Sequence, residues 1–81
     1  MEEKITIVFV DRNNNSTDFE TPIDITLRDL IEAIDNVLHI GLDADDITEK
    51  EMVIENPIRL IKLNKTLEEL GFRQGTTIYL K

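Results

Sequence analysis

Thr66-Leu67-Glu68-Glu69-Leu70-Gly71-Phe72-Arg73-Gln74-Gly75-Thr76-Thr77-Ile78-Tyr79-Leu80 is the stretch that decides the fold of this 81-residue chain. It opens on a capping box. The Thr66 hydroxyl serves a free amide of a first helical turn, and Glu69, three residues on, reaches back to the amide of Thr66. Gly71 and Gly75 supply the positive φ that a helix end and a tight turn need. Residues 76–81 then read as a strand, with Ile78 and Leu80 alternating with Thr77, Tyr79 and Lys81.

The elements before it follow from the same reasoning. Met52-Val53-Ile54-Glu55 reads as a third strand, interrupted by Asn56-Pro57, and 58–62 as a short fourth strand or extended segment. Thr26-Leu27-Arg28-Asp29 starts a helix: Thr26 caps it and Asp29 sits near the positive end of the helix dipole. Leu27, Leu30, Ile31, Ile34, Val37 and Leu38 then form one apolar stripe, and Gly41 is a natural C′ residue to end it. Residues 5–10, Ile-Thr-Ile-Val-Phe-Val, form a strand with Ile5, Ile7 and Phe9 on one face and Thr6, Val8 and Val10 on the other. A turn of Asp11-Arg12-Asn13-Asn14-Asn15-Ser16 leads to Thr17-Asp18-Phe19-Glu20-Thr21, and Pro22 closes this second strand of a hairpin. The order is β-β-α-β-β-short helix-β, an α+β chain with a mixed β-sheet and one long helix on one face. The expected core is Ile5, Ile7, Phe9, Phe19, Leu27, Leu30, Ile31, Ile34, Leu38, Ile54, Ile61, Leu67, Leu70, Ile78 and Leu80.

Composition removes many functions. The chain has no cysteine, one histidine (His39) and one serine (Ser16). Disulfides, thiolate metal sites and a cysteine nucleophile are excluded, and Ser–His catalysis lacks parts. Seventeen acidic against nine basic residues, a net charge of −8, argues against binding nucleic acid or anionic lipid. No apolar run approaches the roughly 18 residues of a membrane helix. Met1-Glu2-Glu3-Lys4 is acidic where a signal peptide is basic. The expectation is one domain, 1–81, in the cytoplasm, with no direct membrane insertion. Three isolated glycines, Gly41, Gly71 and Gly75, make no phosphate loop. No cofactor and no catalytic residue is expected.

This strand, helix and turn order is that of the β-grasp fold, and the 66–80 ending resembles that of ubiquitin-like domains. A covalent modifier or sulfur carrier of that kind is activated at a flexible tail ending in Gly-Gly, whereas this sequence stops at Tyr79-Leu80-Lys81. That reading is therefore kept only for a truncated chain, and excision from a larger scaffold or membrane protein is a further alternative. By an ungapped match through the last strand, two positions of the ubiquitin recognition patch carry Glu55 and Lys81. The third falls in the Asn-rich turn, so the apolar patch is expected to be missing. Among ubiquitin-like families the chain resembles the YukD/EsaB proteins encoded with bacterial type VII (WXG100) secretion systems. The likeness lies in its length, in its ending without diglycine, in Leu60-Ile61, and in the run 67–80. Departures are Thr76, where an acidic residue often follows the glycine, the acidic 43–55 segment, and the lack of aromatics around Met52. The resemblance implies a non-enzymatic accessory component that works by protein–protein contact.

Two surfaces are candidates for that contact. Asp43, Asp45, Asp46, Glu49, Glu51 and Glu55 concentrate charge opposed by Lys50 alone. A calcium loop is a poor match, lacking glycine at its sixth position and the terminal glutamate, where Ile54 stands. The readings left are a solvated loop or a docking site for a basic partner. The second surface is the sheet face away from the helix, where Thr6, Val8, Val10, Val53, Thr77 and Tyr79 meet. It reads either as ordinary exposed β-branched residues or as a partner-binding or weakly homodimerising face centred on Val8 and Tyr79. His39 is expected near the helix C-terminus, Asp24 and Asp29 at the helix start, and Asp11 and Asp18 about the hairpin turn.

Overall fold

The computed structural model describes residues 3–45, 47, 51–55 and 61–81. β1 (Lys4–Val10) and β2 (Ser16–Pro22) form the expected antiparallel hairpin, with Ile7 opposite Phe19. Its turn is built by Asp11: one carboxylate oxygen accepts the N–H groups of Asn13 and Asn15, and Asn14 takes the left-handed conformation.

α1 (Leu27–Leu38) follows, capped by the Thr26 hydroxyl, which accepts the Asp29 N–H at 3.2 Å. The free amides of Leu27 and Arg28 donate to the carbonyls of Lys65 and Leu63, so a distant segment completes the cap. Leu27, Leu30, Ile31 and Ile34 bury the apolar stripe of α1. The helix ends earlier than expected. His39, not Gly41, is the left-handed C-cap. Asp35 explains the difference: its carboxylate gathers the amides of Gly41 and Leu42, which turns the chain away before a glycine is reached.

β3 (Met52–Ile54) and β4 (Thr77–Leu80) complete a four-stranded sheet among the described residues, in the order β2-β1-β4-β3. β1 and β4 pair in parallel at the centre, and β3 runs antiparallel to β4. Before β4, the expected short helix is a turn only, 67–71, yet its capping box forms: Thr66 N–H donates to Glu69 Oε1 at 2.9 Å and Glu69 N–H donates to Thr66 Oγ1 at 3.1 Å. Thr76 is buried, and its hydroxyl accepts the Arg73 N–H, which closes the turn into the strand. Of the expected strand at 58–62, residues 58–60 lie outside those described. Ile61 and Lys62 belong to no strand, although Ile61 packs against the core.

The core lies between α1 and one sheet face. Eleven expected members, from Ile5 to Leu80, are buried, while Phe19, Leu38, Ile61 and Leu70 are only half-buried against them. Ile47, Met52 and Phe72 are buried as well.

Candidate interaction surface

The alternation that buries Ile7, Phe9, Ile78 and Ile54 turns their neighbours to the opposite, outer face of the sheet. Pairing register then decides who stands beside whom. Tyr79 is opposite Val10 on one side and Val53 on the other, so Val10, Tyr79 and Val53 form one row across three strands. Tyr79 and Val53 are each 36% exposed. Val8 belongs to the next row, between Asp18 and Thr77, and is half-buried, as Val10 is. The centre of the face is therefore Val10 and Tyr79, one pair along β1 from the expected Val8. Sequence shows the alternation but not the offset between a parallel pair whose strands lie at opposite ends of the chain.

Charges border this row on its far side. Lys81 N–H donates to the Glu51 carbonyl at 2.7 Å, and Arg12 Nε donates to the Lys81 carbonyl at 2.8 Å. Glu55 N–H donates to the Thr77 carbonyl at the other end of the ladder. Glu55 and Lys81 are thus four residues apart along it, about 14 Å at ~3.4 Å per residue. They do not make one patch, and the apolar row lies between them.

The acidic segment is put to internal use. Asp45 Oδ1 meets Arg28 Nε at the start of α1, and Arg28 also lies 3.6 Å from Glu32 and 3.7 Å from Asp29. The hydrogen bond from Arg28 to Asp45, and then the Asp45 charge, raise the Arg28 pKa further. Asp43 Oδ1 accepts the Asp45 N–H at 3.0 Å, an Asx turn that aims Asp45 at Arg28. Ile47 is buried, anchoring the segment. Asp46 and Glu49 lie outside the described residues. Of the six carboxylates read as one acidic cluster, Asp43 and Asp45 shape and tether the loop. Among the described residues, no three histidine or acidic side chains gather as metal ligands. A half-open cleft of about 180 Å³ lies between Arg12, Gly41, Leu42, Asp43, Ile47 and Glu51. It is smaller than the ~300–1,000 Å³ of sites that enclose a cofactor.

Set against solved structures, the chain is similar over its whole length to one described as molecular mimicry of SUMO promoting DNA repair. That match has 15% identity, covers 100% of this chain and 94% of the other, and has a TM-score of 0.74. The ubiquitin-like domain of Plasmodium falciparum Dsk2 matches at 19% identity, with 96% of each chain covered and a TM-score of 0.70. A ubiquitin-like domain from Arabidopsis thaliana matches at 19% identity, covering 96% of this chain and 76% of the other, with a TM-score of 0.71. The fold is ubiquitin-like. No protein-family model matches the sequence, and no curated protein matches it. At such identities the likeness concerns the ubiquitin-like scaffold, and function has to be argued from the surfaces that scaffold displays. No helix among the described residues is long and apolar enough to cross a membrane.

Proposed function

We propose that this chain is a non-catalytic interaction module that docks a protein partner on the outer sheet face through Val10, Tyr79 and Val53. The observation that carries the reading is the register that sets these three side by side, with Tyr79 in the middle. A tyrosine between two valines offers a broad apolar strip and a hydroxyl that stays wet, with Tyr79 of the residue type enriched in interface hot spots and the valines as its apolar surround. The strip stands on the three strands at the centre and one side of the sheet, so its geometry is fixed before a partner arrives. A non-catalytic role agrees with a sequence that has no cysteine and whose one histidine caps a helix. On the resemblance to the YukD/EsaB proteins, the partner is a component of type VII secretion machinery. The chain is then a cytoplasmic accessory or regulatory piece, folded as one domain, 1–81.

Binding measured with purified candidates tests this. Tyr79→Ala and Val53→Asp each weaken the complex about tenfold or more, as hot-spot truncations do, while Glu32→Ala on the helix leaves it unchanged. If Tyr79→Ala and Val8→Asp both leave partner affinity intact, the outer face is not the docking site. A dimer that dissociates on Tyr79→Ala, seen by sedimentation, makes the occupant a second copy. A WXG100-type protein and an FtsK-like ATPase encoded beside this gene support the secretion reading. Their absence leaves only the general docking role.

A further inference from the structure

β2 is an edge strand, and nothing among the described residues pairs with its outer side. Hydrogen bonds elsewhere in the sheet fix which of its groups face outwards. Val8 N–H donates to the Thr76 carbonyl and the Thr6 carbonyl accepts the Gly75 N–H, so Thr6 and Val8 direct their backbone groups towards β4. Successive residues of a strand alternate in this respect. Ile5, Ile7 and Phe9 therefore direct theirs to β2, onto Thr21, Phe19 and Thr17. Asp11 N–H donating to the Asn15 carbonyl continues the same series. The N–H and C=O groups of Ser16, Asp18 and Glu20 consequently point away from the sheet, and all three residues are exposed. Pro22, which has no N–H, stops the run.

The two faces of this edge make different demands on a strand that joins it. Asp18 and Glu20 show carboxylates on the outer face, and Ser16 a hydroxyl. Lys4 meets Glu20 only at 4.0 Å, with both side chains more than half exposed. On the helix side Thr17 and Phe19 are half-buried, and the Phe19 ring stands edge-on to Phe9 at 6.5 Å. A joining strand thus meets two carboxylates, Asp18 and Glu20, at alternate residues on one face, and the half-buried Phe19 on the other. A second copy of this chain does not meet that demand. Antiparallel pairing of two β2 edges over their full outward run sets Asp18 against Asp18. A shift of one pair towards Pro22 sets Asp18 against Glu20, and the opposite shift runs into the hairpin turn at Asn14.

We infer that the β2 edge is a docking site for an extended segment of another protein, with basic residues at alternate positions and apolar residues between them, added as a further strand of the sheet. Main-chain hydrogen bonds to Ser16, Asp18 and Glu20 hold the segment, and the carboxylates of Asp18 and Glu20 select its charge. The chain's net charge of −8 favours the same partner at longer range. This site shares no residue with the row of Val10, Tyr79 and Val53, so it stands or falls independently of the proposed outer-face docking.

The probe is a capped peptide alternating lysine and valine over seven residues, compared with its glutamate–valine counterpart. Amide hydrogen exchange by NMR is the readout. The lysine peptide slows exchange at Ser16, Asp18 and Glu20, and the glutamate peptide does not. Asp18→Asn weakens binding about fivefold, the size of one cross-strand charge pair. Asp18→Lys combined with Glu20→Lys reverses the preference between the two peptides. Tyr79→Ala leaves binding unchanged. A lysine peptide N-methylated on its pairing edge keeps every charge and does not bind. Equal binding of that methylated peptide, unslowed exchange at the three amides, or protection centred on Val10 and Val53 overturns the inference.

Discussion

One step along β4 moves a side chain from the centre of the protein to water, and this makes the register testable by stability alone. Ile78 is fully buried, between Phe9 on the parallel neighbour and Ile54 on the antiparallel one. Ile78→Ala removes the Cγ1, Cγ2 and Cδ1 carbons. At about 0.8 kcal/mol per buried methylene that is roughly 2.4 kcal/mol of transfer free energy. The cavity left in a core walled by two rigid strands and α1 adds to it, for a total of about 3–4 kcal/mol. Against the roughly 4–12 kcal/mol of stability typical at this length, the loss is about a quarter of the total or more. It corresponds to a fall in Tm of about 12–30 °C at ~4–8 °C per kcal/mol. Val53→Ala, on the adjacent strand but the other face, removes side chain that is already 36% exposed and costs about 0.5–1 kcal/mol. Urea unfolding followed by circular dichroism measures both, with an unchanged m-value as the check on two-state behaviour. Equal losses for the two variants, or a loss under about 1 kcal/mol for Ile78→Ala, would refute the face assignment and the row of Val10, Tyr79 and Val53 built on it.

Three further outcomes concern the turns and caps. Thr26→Ala removes the acceptor of the Asp29 amide and lowers stability by about 1 kcal/mol, read as a Tm shift of ~4–8 °C. Gly75→Ala puts a side chain on a residue with φ +87° that has open space around it, so the cost of about 1–2 kcal/mol is purely conformational, and Gly75→Asn costs less. Glu69 is held below its ordinary value of 4.5, first by the Thr66 N–H and then by the Thr66 hydroxyl. A depressed folded-state pKa gives stability that is present above the unfolded value and lost as pH falls through the folded one. Glu69→Gln therefore flattens the acid limb of a stability–pH profile while leaving its slope above pH ~5 unchanged.

The local signals in the sequence were dependable wherever the chemistry itself was local. Thr66 and Glu69 bond each other as their spacing predicts, Thr26 caps α1, and Asp11 builds its turn. Period-two alternation correctly divided the strands into a core face and an outer face. The ends of α1 and the acidic segment were less legible because a side chain acting at a distance decides them. Asp35 bends the chain before Gly41, and Arg28, 17 residues away, claims Asp45. Ile47 and Phe72 were missed as core because irregular segments have no period by which to recognise a buried position. The interaction row was half legible. The sequence names its residues, but only the pairing offset of β1, β4 and β3 puts Val10, and not Val8, beside Tyr79.

The parallel contact between β1 and β4 also sets a timetable. These are the two central strands of the sheet, and the ribosome makes the second some 70 residues after the first. At about 5–20 residues per second, β1 waits roughly 3–14 s for its partner. During that interval β1 lacks the strand that pairs with Val8 and Val10 at their backbone edge, and a hairpin without it is marginal in water. The sheet is completed in a late, long-range step, slow for a chain of this size because loop closure precedes its reward. Until then β1 presents an open β-branched edge to the cell, so its escape from aggregation is a matter of kinetics as well as of the folded state's stability.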